Sequence, residues 1–131
     1  MSWNFVNKPI TLAIVLMTSL PMSAHAYCDW RPYPTPNDVV QAEQNFLPCL
    51  EVGHLCNSVV NGEVFQNYER RLPYVQYGES YYAARVYQPN YGYNGAWRLV
   101  FLLRGQPHVQ GSRVLVKYFT WDHYLSFCQL P

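Results

Sequence analysis

The chain contains 131 residues, with nine basic and eight acidic side chains and a formal charge of +1. This balance excludes a global electrostatic attraction to nucleic acid or to an anionic membrane, so phosphate binding would need a local cluster of cations. Half of the residues are hydrophobic and 17% are aromatic. A chain of this length forms one domain with a modest core, and large aromatic rings add to the area that the core buries.

The first 26 residues have the features of a secretory signal peptide. Lys8 gives a positive start, residues 10–20 form an apolar run too short to cross a bilayer, and Ala-His-Ala at 24–26 is a small-x-small cleavage site. We expect this peptide to be removed and residues 27–131 to form a secreted or periplasmic domain with no membrane anchor. Without Lys8, that domain has eight basic and eight acidic residues and no net formal charge.

All four cysteines lie in the predicted mature domain. An even number in a short exported chain predicts two disulfides, for which three pairings are possible. We expect Cys28–Cys128, which would join the two ends of the domain, together with Cys49–Cys56, which would close a local loop. A metal site is the alternative, but the spacings are not those of a zinc motif and an oxidising compartment disfavours free thiolates. We therefore expect neither a metal nor another cofactor.

In chain order, the mature domain predicts one helix followed by several strands. Apolar residues at helical spacing predict an amphipathic helix over about residues 38–47, ended by Pro48. Aromatic and β-branched residues predict four strands, at 81–88, 96–103, 113–119 and 124–128. The connection over residues 104–112 is long for a hairpin, and we expect it to project from the body. One helix followed by sequential strands indicates an α+β fold, with the N-terminal helix packed on a twisted antiparallel sheet.

The segment 120–127 holds the histidine that is best placed for chemistry. An imidazole gives or takes a proton readily near neutral pH, and His123 lies between Asp122 and Tyr124 close to the C-terminus. On local sequence alone, the simpler interpretation is a closing strand that happens to contain a histidine.

A second candidate segment, residues 65–73, is a polar loop between an apolar anchor, Phe65, and a Leu-Pro stop. Glu69 could accept the paired N1–H and N2 amine of guanine, loop amides could donate to its O6, and Tyr68 could cover the face of the base. The simpler interpretation is a solvated loop with an exposed Glu69.

Together, the two segments resemble the microbial guanyl-specific ribonucleases, the family of barnase and of the Streptomyces extracellular ribonucleases. The resemblance rests on Phe-Gln-Asn-x-Glu-x-x-Leu-Pro at 65–73 and Asp-His-Tyr-x-x-Phe at 122–127, and it covers about residues 62–128. Cys28 and Cys128 also stand where the Streptomyces branch joins its termini by a disulfide. The resemblance implies the microbial ribonuclease fold and metal-independent cleavage of single-stranded RNA after guanine, through a 2′,3′-cyclic phosphate.

The resemblance also implies roles for individual residues. His123 would be the general acid that protonates the departing 5′-oxygen, and Arg98 would hold the phosphate as charge builds in the transition state. The guanine nucleotide would be held by the loop and the C-terminal segment, through Gln66, Asn67, Tyr68, Glu69 and Tyr124.

The chain departs from the family at two positions. The family's general base falls on Ala83 and its first phosphate arginine falls on Asn94, so neither chemical group is present. Arg85, two residues from Ala83 and on the same face of a strand, could restore the positive charge but is no base near neutral pH. His108 and Glu79 are candidate substitute bases, although solvated loop residues are the simpler interpretation of both.

We therefore predict an exported guanyl-preferring endoribonuclease, with reduced activity because losing a general base costs about 10²–10⁴-fold in rate. The alternative is a catalytically silent ribonuclease-fold module that binds RNA, a nucleotide or a protein partner. A third interpretation is a disulfide-stapled envelope protein with no link to nucleotides. A carboxylate or imidazole facing His123 across the cleft would favour the enzyme, whereas Ala83 alone would favour the binding module. We expect a monomer whose partners are single-stranded RNA and an acidic intracellular inhibitor.

Overall fold

The computed structural model describes residues 25–51 and 62–131. It contains one helix and five strands: α1 (Asn37–Glu51), β1 (Glu63–Phe65), β2 (Glu79–Arg85), β3 (Arg98–Arg104), β4 (Arg113–Thr120) and β5 (Cys128–Gln129). The strands form one antiparallel sheet in the order β1-β2-β3-β4-β5, so each strand pairs with the next one in the chain. The predicted α+β arrangement of a helix on an antiparallel sheet is confirmed.

The sheet has two apolar faces, because successive side chains of a strand point to opposite sides. We call the side that packs against α1 the helix face; its buried side chains include Tyr82, Ala84, Phe101 and Phe119, which meet Val39 and Phe46 of the helix. We call the opposite side the cleft face; it is formed by Tyr81, Ala83, Val100 and Tyr118, packed with Leu72. Alternation along β2 therefore places neighbouring residues of the chain in two separate environments.

The helix is longer than the sequence predicts, since it continues past Pro48 to Glu51. Pro48 is exposed, whereas Cys49 and Leu50 in the last turn are only 5% and 0% exposed. Burial of these two side chains against the sheet offsets the backbone hydrogen bond that a proline removes. The prediction that Pro48 ends the helix is therefore wrong, and tertiary packing is the physical reason.

The edges of the sheet also differ from the prediction. The three-residue strand β1 was not predicted, because so short a segment shows no visible alternation. The last strand was predicted at 124–128, but β5 covers only Cys128–Gln129 and a series of bends occupies 121–126.

The connection over residues 104–112 does not project from the body as predicted. His108 Nδ1 lies 3.1 Å from the carbonyl oxygen of Cys49 near the end of α1, and its Nε2 lies 3.1 Å from the Tyr82 hydroxyl. These contacts hold the connection against the helix face.

The predicted disulfide Cys28–Cys128 is confirmed and links residues 100 positions apart. Beside it, the Cys28 N–H donates to the carbonyl of Gln129 at 2.9 Å. The bond therefore fixes β5, immediately after the segment that contains the candidate histidine, to the start of the domain.

Two other predictions fall on parts of the chain that the structure does not describe. Residues 1–24 of the predicted signal peptide lie outside the described residues, and so does Cys56, the predicted partner of Cys49. Cys49 itself is disulfide-bonded. Across residues 25–51 and 62–131, no helix is long and apolar enough to cross a membrane.

Candidate active site

The cleft face borders two adjoining clefts, with His123 between them. The loop cleft, of about 420 Å³, is lined by residues 63–69, Arg71, His123 and Tyr124. The arginine cleft, of about 450 Å³, is lined by Gln88, Tyr91, residues 94–96, Arg98 and His123. A single imidazole can therefore act on groups bound in either cleft.

The segment 121–126 is a turn organised around the carboxylate of Asp122. Its Oδ1 accepts the hydroxyl hydrogen of Thr120 at 3.0 Å and the backbone N–H of Ser126 at 2.8 Å. The Thr120 hydroxyl oxygen in turn accepts the N–H of Tyr124 at 3.0 Å. These bonds explain why an aromatic-rich segment forms a turn rather than the predicted strand, since a local carboxylate offers its amides an alternative to ladder pairing.

Hydrogen bonding also sets the charge of Asp122. Burial by itself would raise the pKa of this carboxyl group, but hydrogen bonds from Ser126 and Thr120 together lower the pKa by more, so the net shift is downward. The carboxylate is therefore ionised at neutral pH, where it accepts both bonds in its charged form.

The turn presents His123 with an unusual backbone. His123 and Tyr124 have φ angles of 55° and 72°, in the left-handed region that residues other than glycine seldom adopt. The His123 N–H donates to the Ala96 carbonyl at 3.2 Å, which ties the turn to the wall of the arginine cleft. The side chain of His123 is exposed, and its ring centroid lies 5.1 Å from that of Tyr124.

Two arginines stand directly opposite each other on β2 and β3. Arg85 pairs with Arg98 in the strand register, and like charges in such a pair repel. Arg98 is only 7% exposed, and its Nη1 donates to the carbonyls of Gly95 at 2.7 Å and Trp97 at 2.8 Å. The Nη1 of Arg85 donates to the Tyr93 carbonyl at 3.3 Å. Neither arginine forms a salt bridge with another described residue. Arg98 lines the arginine cleft and can bind an anion there, whereas Arg85 lines a small pocket beside α1.

The loop between β2 and β3 holds Arg98 in place. The side-chain oxygen of Gln88 accepts the N–H of Ala96 at 2.6 Å. A Cβ atom added to Gly95 would lie 2.3 Å from that same oxygen, so glycine is required while this bond is made. Asn94, where the resemblance places a first phosphate arginine, lines the arginine cleft and can donate hydrogen bonds there without adding charge.

The loop after β1 is closed by Asn67. Its Nδ2 donates to the Leu72 carbonyl at 2.8 Å, and its Oδ1 accepts the Leu72 N–H at 3.1 Å. The side chain of Asn67 therefore shapes the loop, and the residue also lines the loop cleft. Its neighbours Gln66 and Tyr68 are exposed, and Tyr68 is 85% exposed, so the ring is accessible to a base.

Glu69 forms an exposed salt bridge with Arg71, with 2.7 Å between Nε and Oε2. The Nη1 of Arg71 also donates to the Leu125 carbonyl at 3.2 Å, which links the loop to the C-terminal turn. The ring of Phe65 stacks on that of Tyr124, with centroids 4.7 Å apart. Because exposed ion pairs contribute little to stability, a ligand donor can replace Arg71 on Glu69 at small cost.

The two candidate substitute bases lie away from Ala83 and His123. Glu79 is on the same face of β2 but four residues earlier, about 13 Å along the strand, and its side chain is 6% exposed in a 3.2 Å salt bridge with Arg104. His108 packs on the helix face, where its ring is edge-on to that of Tyr82, on the opposite side of the sheet from the clefts. The structure therefore places neither residue where it could act as a base beside Ala83.

Strand β1 brings a different carboxylate next to Ala83. Glu63 pairs directly with Ala83 in the register of β1 and β2, so both side chains leave the sheet on the cleft face. Glu63 is exposed and lines the loop cleft together with His123 and Tyr124. Glu63 is not among the predicted site residues, because it lies on a strand too short to predict from the sequence. The Asn-Gly turn signal at 61–62 was the available cue.

The hydroxyl of Tyr124 lies under the influence of charges from both clefts. Burial raises its pKa, Arg98 lowers it and Glu63 raises it, with a smaller lowering from Arg85, and the net shift is upward. The guanidinium carbon of Arg98 lies 6.0 Å from the centroid of the Tyr124 ring. The charges of Glu63, Arg98 and Arg85 therefore all affect the pKa of the Tyr124 hydroxyl.

A protein-family model described as ribonuclease matches residues 14–131 of the chain. No match was found among curated proteins. The matched range includes all five strands and both clefts.

Proposed function

The chain belongs to the ribonuclease family, and we propose that it is an exported endoribonuclease that cleaves single-stranded RNA after guanine. The observation that carries the proposal is the position of His123, which borders both the loop cleft and the arginine cleft. A guanosine seated against residues 66–69 would direct its 3′-phosphate toward Arg98. The same imidazole would then lie beside the scissile bond.

In the proposed reaction, the 2′-hydroxyl gives up its proton to a base or to water, and its oxygen attacks the phosphorus while the bond from phosphorus to the 5′-oxygen breaks. Protonated His123 gives its proton to the departing 5′-oxygen. Arg98, with Arg85 beside it in the register, neutralises the charge that builds on the phosphoryl oxygens. The products are a 2′,3′-cyclic phosphate and a 5′-hydroxyl, and the cyclic phosphate is hydrolysed in a second step.

Guanine preference would rest on the loop after β1. The backbone amides of Gln66 to Tyr68 can donate to O6, and Glu69 can accept N1–H and the N2 amine after leaving Arg71. The two hydrogen bonds of Asn67 with Leu72 keep these amides in a fixed arrangement.

A catalytically silent module that binds RNA, a nucleotide or a protein partner is the second candidate. It is favoured by Ala83, which is 2% exposed and carries no group able to take a proton. If no residue acts as the general base, the rate would fall by about 10²–10⁴-fold. In that case we propose a ribonuclease of reduced activity, whose catalysis depends on His123 and Arg98 alone. Export is a further part of the proposal and follows from the signal-peptide features of residues 1–26, whereas an acidic inhibitor in the producing cell follows from the sequence resemblance. A monomeric state is also proposed.

Cleavage of a GpN dinucleotide in the presence of EDTA tests the enzyme proposal. The disulfide-intact mature protein should release guanosine 2′,3′-cyclic phosphate, and His123→Ala should release it at least about 100-fold more slowly. His108→Gln is the matched control, because it removes a histidine from the helix face and leaves both clefts intact. Equal traces of product from the wild type and from His123→Ala would contradict the proposal.

Binding of 3′-GMP tests the role of the loop separately from catalysis. The wild type should bind 3′-GMP, and Glu69→Gln should weaken binding about tenfold, because one of the two paired acceptors is lost. An affinity that Glu69→Gln leaves unchanged would exclude the assigned role of Glu69.

A further inference from the structure

We propose that Glu63 is the general base of this site, acting from the strand next to Ala83. The inference rests on the proposed ribonuclease activity and begins with the strand register, in which Glu63 lies directly across from Ala83. The Cβ atoms of directly opposed residues in an antiparallel pair are about 4.5–5.5 Å apart and point to the same face. The carboxylate of Glu63, on its flexible two-carbon stem, can therefore extend over the methyl group of Ala83.

The surroundings of the two positions explain why the carboxylate is on β1. Ala83 is 2% exposed in the apolar floor of the cleft face, where it packs with Tyr81, Val100 and Tyr118. Burying a charge among these side chains would be costly. Glu63 is exposed at the rim of the same face, so its carboxylate stays solvated while it borders the loop cleft.

The carboxylate of Glu63 is also available to take a proton. In the part of the chain that the structure describes, Glu63 forms no side-chain hydrogen bond or salt bridge. By contrast, Glu69 and Glu79 are each paired with an arginine. Glu63 lines the loop cleft together with His123 and Tyr124, which places its carboxylate in the same cleft as the proposed acid.

The two clefts separate the proposed base from the acid as the reaction requires. Cyclisation needs a base at the 2′-oxygen and an acid at the 5′-oxygen, on opposite sides of the phosphorus. Glu63 borders only the loop cleft, where the guanosine ribose would lie, whereas His123 borders the arginine cleft as well. His123 can therefore reach a leaving group that Glu63 cannot.

In the first step, the 2′-hydroxyl proton passes to the carboxylate of Glu63 as the bond from the 2′-oxygen to phosphorus forms. His123 protonates the 5′-oxygen as its bond to phosphorus breaks. In the second step, the neutral imidazole of His123 takes a proton from water, which attacks the cyclic phosphate. The bond from phosphorus to the 2′-oxygen breaks as Glu63 returns its proton to that oxygen, so both residues end in their starting states.

Kinetics of Glu63→Gln with GpN and with guanosine 2′,3′-cyclic phosphate test this role. We expect kcat to fall at least about 100-fold for both substrates, with binding of 3′-GMP and the free energy of unfolding unchanged. Glu63→Asp should retain intermediate activity, since it keeps the carboxylate but shortens its reach. Glu51→Gln is the matched control: Glu51 is exposed at the end of α1, and the amide oxygen of Gln can still accept the Val114 N–H that Glu51 accepts at 3.0 Å.

The pH dependence of kcat/KM is a second measurement, and it would not change in Glu63→Gln if the role of Glu63 were only structural. The wild type should lose activity at acid pH as its base becomes protonated, and Glu63→Gln should lack that acid limb while keeping the basic limb of His123. The charged and titratable groups that border the loop cleft with Glu63 are Tyr68, Glu69, Arg71, His123 and Tyr124. Glu51→Gln, which changes a residue that lines neither cleft, is the control here as well and should retain the acid limb.

The outcomes separate this inference from the proposed function. An active wild type whose kcat and acid limb survive in Glu63→Gln would overturn the role of Glu63 and leave the ribonuclease proposal standing. A wild type that cleaves neither substrate would overturn both. Loss of kcat together with loss of the acid limb in Glu63→Gln alone would support Glu63 as the base.

Discussion

The carboxylate of Asp122 allows a quantitative test of how the C-terminal turn is held. Asp122→Asn keeps the shape of the side chain but removes the charge from its bonds with Thr120 and Ser126, which measure 3.0 and 2.8 Å. Hydrogen bonds to a charged group contribute about 1.5–3 kcal/mol each, and neutral ones about 1 kcal/mol. Because Asp122 is partly exposed and solvent screens its charge, we expect the free energy of unfolding to fall by about 1 kcal/mol at neutral pH.

The loss should depend on pH in a defined direction. The pKa of Asp122 is lower in the folded protein than its ordinary value, so its charge stabilises the fold above the unfolded pKa of about 3.9. That contribution is lost as the pH falls through the folded pKa. Urea unfolding of the wild type and Asp122→Asn should therefore show the full difference near neutral pH and a vanishing difference in strong acid. A difference that stays constant would refute the reasoning, because it would not come from the charge.

The same substitution should affect catalysis through the position of His123. We expect Asp122→Asn to lower kcat with GpN by less than His123→Ala does, because the imidazole is still present but less firmly placed. Binding of 3′-GMP, which depends on the loop after β1, should change little. An unchanged kcat would show that the backbone of the turn positions His123 without the charge of Asp122.

Two further changes test neighbouring parts of the structure. Gly95→Ala would place a Cβ atom 2.3 Å from the side-chain oxygen of Gln88 and displace the loop that holds Arg98. We expect a lower kcat with little loss of stability. An unchanged kcat would show that the position of Arg98 does not depend on this loop. Replacing Cys28 and Cys128 together by serine opens a loop of 100 residues, which the chain-entropy model values at about 4–5 kcal/mol. The thermal midpoint should then fall by about 20 °C or more, and a midpoint within a few degrees of the wild type would contradict that estimate.

Whether a helix or strand could be predicted depended on its length and on whether other interactions outweighed its local sequence pattern. Strands β2, β3 and β4 each span seven or eight residues, which is long enough for aromatic and β-branched residues to be visible as a pattern. The segment 121–126 has a similar composition, yet the carboxylate of Asp122 satisfies its amides locally. Helix α1 was predicted too short, because burial of its last turn outweighs the local effect of Pro48.

The site was predictable where function resides in a local motif. His123 and Glu69 lie in short segments whose residue order resembles a known family, so their roles could be proposed from the sequence. Glu63 could not be found in this way, because its significance depends on which residue stands opposite it. Nothing near position 63 in the chain reveals that Ala83 is its neighbour, since strand register is a property of two segments about 20 residues apart.

That register makes this part of the protein more sensitive to insertions and deletions than to exchange of one side chain for another. Gly62 passes so close to the ring of Tyr82 that an added Cβ atom would lie 2.2 Å from it, which fixes how β1 meets β2. One extra residue after Gly62 would turn each side chain of β1 to the opposite face, moving Glu63 out of the loop cleft while every existing residue is kept. Among related chains, the spacing between this glycine and the phenylalanine at 65 would therefore report on activity more directly than the identity of residue 83.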